Sequence, residues 1–401
     1  MKYIVILCDG MADEPLEELG GRTPLEAART ENMDRLAKSS EIGMVQTVPD
    51  GMAPGSDTAN LSVIGYDPRK YYTGRSPLEA LSIGAPMEPS DVSFRCNLVT
   101  LSEEEENYED RHILDHSSDE ISTEEAAELI RALSEGLKRD GYTFYVGTSY
   151  RHLLIQKNGT VVELTAPHDI LTKRIGEYLP EDEVLREMMI KSYDILKDHP
   201  INVKRRAEGK NPANSAWFWG EGTRPMLTSF EEKNGVKGAM ISAVDLLKGI
   251  AAGAGMHNII VEGANGGLNT NYSGKAEAAV KALTEDGFDF VYVHIEAPDE
   301  MGHQGSVERK IQAIENIDEK IIGPVNRALD AEGTAYRMLI LPDHPTPIRV
   351  RTHTSDPVPY LLYDSTKAMD GMDTYSEKTG RETGIFEKEG YHLIDHLLSV
   401  K

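Results

Sequence analysis

The sequence predicts an α/β fold: a core with a mostly parallel sheet flanked by helices, plus a smaller inserted α+β domain. Three observations carry this reading. Ile4 to Leu7, Ile259 to Val261, Phe290 to His294 and Met338 to Leu341 are short, uniformly apolar runs. Strands of that kind belong to a parallel sheet covered on both faces, where no alternation with polar residues is needed. Helical stretches with well-formed starts lie between them, so strand and helix alternate. The texture then changes in the middle of the chain, which assigns residues 1–87 and 236–401 to the core domain and 88–235 to the insertion.

In chain order, the run that ends at Cys8 is the first buried strand, and Asp9-Gly10 is the turn after it. That run is too short for a signal peptide and has no small-residue cleavage site after it. Thr23-Pro24-Leu25-Glu26 combines a capping box with proline at the first helical position. Pro54-Gly55-Ser56 precedes an apolar helical stretch, which places Ser56 at a helix N-terminus. In the insertion, Ser102 to Glu106 is an acidic, solvated run, Thr123–Lys138 and Glu181–Lys197 are helices with polar faces, and Lys157-Asn158-Gly159 is a hairpin signal. Val307 to Leu329 has apolar residues at helical spacing and reads as one long helix.

Composition narrows the partners. The chain has 401 residues, 39% of them hydrophobic, enough for a sizeable core and for two domains. Its 42 basic residues against 67 acidic ones give a formal charge of −25, which repels phosphate backbones and anionic lipid. Nucleic acid and membrane surfaces are therefore poor partners, whereas a small anion can still bind where arginines or metal cations reverse the local field. No apolar run approaches the roughly 20 residues that cross a bilayer. Two cysteines, Cys8 and Cys96, cannot form a disulfide framework, and a reducing cytoplasm is expected.

Residues able to do chemistry follow the strands directly, where open α/β sheets bind ligands. Asp9 follows the first. Asp299 and His303, four apart, follow Phe290 to Ile295; Asp343-His344 follows Met338 to Leu341, and His353 lies on a loop before a further apolar strand. Any one of these is equally well a turn aspartate or a packed histidine. Together they form a mixed oxygen and nitrogen set suited to two divalent ions such as Zn²⁺, Mn²⁺ or Mg²⁺. Ser56, at its helix N-terminus, gives such ions something to activate, because that position favours a phosphoryl group and a nearby cation makes a hydroxyl nucleophilic. As a plain alternative, Ser56 only caps the helix.

At this point the chain resembles the archaeal-type, cofactor-independent phosphoglycerate mutases of the alkaline phosphatase superfamily. The segments that carry the resemblance include CDGMAD, VPDGMAPGSDTANLSVIGYDP, YYTGRSPLEA, FRCNLVT, EAPDEMGHQG, LPDHPTP and RTHTSDPVP, and the match spans nearly the whole chain. It implies one metal ion held by Asp9, Ser56, Asp343 and His344, and a second held by Asp299, His303 and His353. It further implies a phosphorylated Ser56, interconversion of 3-phosphoglycerate and 2-phosphoglycerate, and no need for 2,3-bisphosphoglycerate. The insertion would close over a small phosphorylated carboxylic acid. Arg75, Arg95 and Arg151 are candidates to bind its anionic groups through guanidinium forks, with His168 adding a polar contact and Lys275 included among the substrate-binding residues. Asn214, Trp217 and Trp219 read as hinge or packing residues. A bacterial branch with closely similar motifs is associated with homoserine kinase activity, which this chain resembles in its FRCNLVTLSEEEENYED stretch. A metal-dependent phosphomonoesterase is the remaining enzymatic alternative, and a non-enzymatic metal-binding protein the other. Neither a P-loop nor a dinucleotide fingerprint is present.

Overall fold

A computed structural model describes residues 1–399. Its strands are, in chain order, β1 Lys2–Cys8, β2 Glu41–Val45, β3 Val92–Leu101, β4 Ile113–Asp115, β5 Tyr142–Thr148, β6 Arg151–Gln156, β7 Ser215–Thr223, β8 Gly238–Ile241, β9 His257–Ile259, β10 Phe290–Ile295, β11 Tyr336–Leu341, β12 Val358–Asp364 and β13 Phe386–Glu387. The backbone divides into two compact units: Met1–Tyr72 with the chain from Leu227 onward, and Thr73–Met226. The divisions fall at 72/73 and 226/227, where the sequence set 87/88 and 235/236. Two packing contacts account for the shift. Helix Arg75–Ser82 belongs to the second unit, where Ser76 Oγ donates to Ser93 O of β3 at 2.8 Å. Phe230 packs on Phe290 of β10 in the first unit, with ring centroids 4.7 Å apart.

The first unit is built on one sheet, in the order β13-β2-β12-β11-β1-β10-β8-β9, in which only β12 runs against the rest. Ile4 and Ile6 of β1 pack on one face together with Val291, Val293, Met338 and Ile340, while Val5 and Leu7 are buried on the other. Burial on both faces is why these strands read as unbroken apolar runs. The register pairs Cys8 with Ile295 and Leu7 with Leu341, so β1, β10 and β11 end level and their following loops meet at one edge.

Two elements differ from expectation here. The edge strand is His257–Ile259 rather than Ile259 to Val261, and Ile260 is 72% exposed because β9 pairs on one side only. The long helix is interrupted: Val307–Ile317 passes into a π turn at Asp318–Ile322 before Gly323–Ala331. Pro324 has no N–H to continue the ladder. Asp318, within the widened turn, accepts from Asn32 N at 3.1 Å and Met33 N at 2.7 Å. It thereby caps helix Glu31–Ala37, whose Thr30 makes no side-chain cap of its own.

The second unit is an antiparallel sheet, β4-β3-β6-β5 with β7 on the other side of β3. Phe94, Cys96 and Leu98 form its core with helices Thr123–Gly136 and Glu183–Leu196. The hairpin turn is Ser149-Tyr150, between β5 and β6, and not Lys157-Asn158-Gly159, which follows β6. Ser149 is held at φ +55° by tertiary bonds, its N donating to Thr123 Oγ1 at 3.0 Å and its Oγ to Ile121 O at 2.8 Å. A serine fixed in this way carries no local turn signature. Among the described residues, no helix is long and apolar enough to cross a membrane.

Candidate active site

The segments that follow the level ends of β1, β10 and β11 carry Asp9, Asp299 and Asp343, Asp299 and His303 lying one turn apart on helix Ala297–His303. Gly10, at φ +61°, makes the first sharp turn, and a Cβ there would lie 2.6 Å from Asp299 Oδ1 and 2.7 Å from Asp299 Cα. Only glycine lets these loops approach so closely. Lys310 ties them from behind. Fully buried, it donates to Asp13 Oδ2 at 2.7 Å, Thr346 O at 2.9 Å and Ala12 O at 3.3 Å.

Two donor groups result, both of which include His344: Asp9, Asp343 and His344, and Asp299, His344 and His353. In the first, His344 Nε2 lies 3.5 Å from Asp9 Oδ1 and 3.3 Å from Asp343 Oδ2. In the second, His353 Nε2 is 3.4 Å from Asp299 Oδ1, and His303, beside this group rather than in it, has Nε2 3.1 Å from both Asp299 Oδ2 and His353 Nε2. Five of the seven residues named from the sequence fall in these two groups, with His344 shared where the sequence placed it in one, and His303 and Ser56 stand beside them. Ser56 begins helix Ser56–Ile64, and its Oγ stands 3.1 Å from His344 Nε2.

The electrostatics fit cations. Asp9 Oδ1 is buried without a hydrogen-bond partner, although its carboxylate lies beside that of Asp343. Burial, and then the neighbouring Asp343, Asp299 and Glu296, push Asp9 well above the usual carboxylate range. An orphaned carboxylate oxygen facing like charge is what a divalent ion would satisfy. Burial holds His344 below its ordinary value and His294 down to about 3, which favours the neutral imidazole in both. Asp299 is different: burial would raise it, but hydrogen bonds with His303 and His353 outweigh this and hold it well below its ordinary value, while Asp299 in turn lifts His303 to about 9.

Several residues around these groups escaped the sequence. Asn60, one helical turn after Ser56, donates through Nδ2 to Ser56 O and to Asp343 Oδ2, both at 2.8 Å. Thr346 Oγ1 donates to Asp299 Oδ1 in a short hydrogen bond. His294, the last residue of an expected strand run, has Nε2 2.8 Å from Asp9 Oδ2. Lys275 is placed differently from expectation: it is fully buried, and its Nζ donates to His294 O at 2.8 Å. Its Nζ is thus committed to the main chain of β10.

In the second unit, the register brings Arg95 opposite Trp219 and Asn97 opposite Arg151, so β3, β6 and β7 display them on one face. The buried Arg95 guanidinium lies 4.3 Å from the Trp219 ring centroid, and Glu79 reaches both Arg95 Nε at 3.0 Å and Arg75 Nε at 3.4 Å. His168 meets Trp219 edge-on at 5.0 Å, and His116 approaches His168 at 6.1 Å. Trp219, read from the sequence as packing or hinge, is therefore part of the arginine cluster. Trp217 and Asn214 do pack: Trp217 is fully buried, and Asn214 bonds the Leu101 main chain of β3.

The family model of 2,3-bisphosphoglycerate-independent phosphoglycerate mutase matches residues 37–202. A Geobacter sulfurreducens protein described as a probable mutase of this kind is 48% identical over 403 residues, covering 99% of this chain and all of the relative. A Methanosarcina barkeri 2,3-bisphosphoglycerate-independent phosphoglycerate mutase is 46% identical over 407 residues, covering all of both. Among solved structures, a Pyrococcus horikoshii protein superposes with a TM-score of 0.83 at 31% identity, covering 100% of this chain and 98% of the other. The Thermoplasma acidophilum cofactor-independent phosphoglycerate mutase superposes with a TM-score of 0.67 at 29% identity, with 99% of each chain covered. With relatives this similar from end to end, and a solved mutase that shares its fold, the chain belongs to the 2,3-bisphosphoglycerate-independent phosphoglycerate mutase family.

Proposed function

We propose that this enzyme interconverts 3-phosphoglycerate and 2-phosphoglycerate by way of a phosphorylated Ser56. The observation that carries the reading is the position of Ser56 Oγ, at a helix N-terminus and 3.1 Å from His344 Nε2 in a carboxylate–imidazole cluster. Asp9, Ser56, Asp343 and His344 would hold one divalent ion, and Asp299, His303 and His353 the other; Mn²⁺, Mg²⁺ and Zn²⁺ all suit this donor set. Such ions supply positive charge that lowers the pKa of a nearby hydroxyl and neutralises phosphoryl oxygens.

Ser56 Oγ attacks phosphorus; the Oγ–P bond forms as the ester bond to the glycerate 3-oxygen breaks, and the serine proton ends on that oxygen. The N-terminal end of helix Ser56–Ile64 stabilises the phosphoserine oxygens through its dipole and its first N–H groups, apart from that of Thr58, which donates to Asp57 Oδ1 at 2.9 Å. The glycerate 2-hydroxyl then attacks phosphorus, the Oγ–P bond breaks, and a proton returns to Ser56. Arg75, Arg95 and Arg151, with His168, bind the phosphate and carboxylate through planar forks and retain glycerate between the two transfers. Lys275 has no part in this set, being committed to His294 O.

The test supplies unlabelled 3-phosphoglycerate with labelled free glycerate and no nucleotide. Unlabelled 2-phosphoglycerate with little free phosphate supports transfer within a retained glycerate, and Ser56→Ala should abolish it. Abundant free phosphate would identify a hydrolase, and turnover only with ATP and homoserine a kinase.

A further inference from the structure

β10 does more than lead into Asp299. Tyr292 and His294, two residues apart, are fully buried, and each starts or continues a hydrogen-bond chain that ends on a carboxylate of the first donor group. In one chain, Tyr292 OH donates to Asn60 Oδ1 at 2.6 Å, and Asn60 Nδ2 donates to Asp343 Oδ2 at 2.8 Å. The other begins at the main chain. Val244 N donates to Ser242 Oγ at 3.0 Å, Ser242 Oγ faces His294 Nδ1 at 3.1 Å, and His294 Nε2 faces Asp9 Oδ2 at 2.8 Å. An ionised Asp9, as a cation ligand must be, can only accept, so the His294 proton sits on Nε2 and is donated to Asp9. Nδ1 is then left to accept from the Ser242 hydroxyl. Every member of both chains thus has a fixed direction.

The consequence for Asp9 is specific. Its Oδ2 is occupied by His294, and its Oδ1 is buried, unpartnered and turned toward His344 Nε2. Asp343 is fixed in a similar manner, with Oδ1 accepting from Gly10 N at 3.1 Å and His344 N at 2.9 Å. The second donor group is backed differently: Thr346 Oγ1 donates to Asp299 Oδ1 and His303 Nδ1 donates to Arg351 O at 3.0 Å, but the His303 side chain is 34% exposed where Tyr292 and His294 are fully buried. We infer that Tyr292 and His294 are positioning residues that orient Asp343 and Asp9 toward the first ion, making that site the tighter and more slowly exchanging of the two. This rests on the two-ion reading above.

A carboxylate whose orientation is set from behind binds metal more strongly, and loss of such support costs roughly 10–100-fold in affinity. Metal binding can be read without turnover by titrating metal-stripped protein with Mn²⁺ against a chelating dye, with near-ultraviolet circular dichroism to confirm the fold. Wild-type protein should show two steps, and fewer than two would sink the site reading itself rather than this inference. His294→Phe should weaken the tighter step about 10–100-fold and leave the weaker one in place. His294→Gln, which keeps a donor at comparable reach, should recover part of that loss. Ser242→Ala and Tyr292→Phe, milder changes that remove one link from each chain, should shift the same step in the same direction. Two unchanged steps in His294→Phe, or equal weakening of both, would overturn the inference; if that variant does not fold, the same criterion applies to Ser242→Ala and Tyr292→Phe.

Discussion

The two units gather opposite chemistries by different means. In the first, carboxylates and imidazoles converge from loops and one short helix at strand ends, each contributing one or two groups. In the second, guanidinium and aromatic groups stand on the face of an antiparallel sheet, brought together by cross-strand pairing. An acidic cluster is suited to hold cations and a cationic one to hold a phosphorylated acid. Substitutions in one unit should therefore change ion binding, and in the other substrate binding.

The largest effect tests that division directly. Asp343→Asn would set an amide N–H₂ among N–H groups that now donate to the carboxylate. Its activity should fall on the order of 10³-fold, equivalent to about 4 kcal/mol, together with the loss of one bound ion. Initial rates and metal content measure both, and full metal content at an unchanged rate would break the assignment. Next comes Lys310→Met, which strands the buried Asp13 without its partner. It should cost about 3–5 kcal/mol in urea unfolding, with the loss confined to the first unit. A shift below 1 kcal/mol would show that the pair is dispensable.

The second unit carries its own pH response. Burial lowers His152 to about 4, and Gly147 N donates to its Nδ1 at 3.1 Å. Because the folded value lies below the unfolded one, the stabilisation is full above about pH 6.5 and is lost as pH falls toward about 4, amounting to about 3 kcal/mol. Unfolding of His152→Gln followed across that window should lack this slope; retention of it would place the acid sensitivity elsewhere. The smallest effect is that of Arg95→Lys, which keeps the charge but removes the planar fork stacked on Trp219. A fall of about tenfold in kcat/KM, or roughly 1.4 kcal/mol, is expected with metal content unchanged. Altered metal binding in this variant would blur the line between the units.

How much of this was legible in the sequence follows the same division. Asp9, Asp299 and Asp343 could be read because each comes directly after an apolar strand run, so local pattern and local chemistry coincide. Trp219 could not, because its meeting with Arg95 depends on a register between residues more than a hundred positions apart. His294 was hidden for another reason. It lies inside a strand run, and the direction of its imidazole follows from alternation along β10 and from Ser242 on a neighbouring strand's loop. The misplaced hairpin and the interrupted helix have a shared cause: Ser149 and Asp318 are held by distant partners rather than by their sequence neighbours.

The ammonium of Lys310 is compensated only when the chain near Ala12 and the chain near Thr346 are both closed around it. Burial already lowers its pKa, so a half-closed arrangement would leave a desolvated charge with a fraction of its partners. The two ligand-bearing loops are thereby committed to close together, during folding, before any ion arrives. Stripping the ions should therefore leave a cradle that stays shut, and its refilling should be as fast as diffusion and ion dehydration permit, with no refolding step on the way.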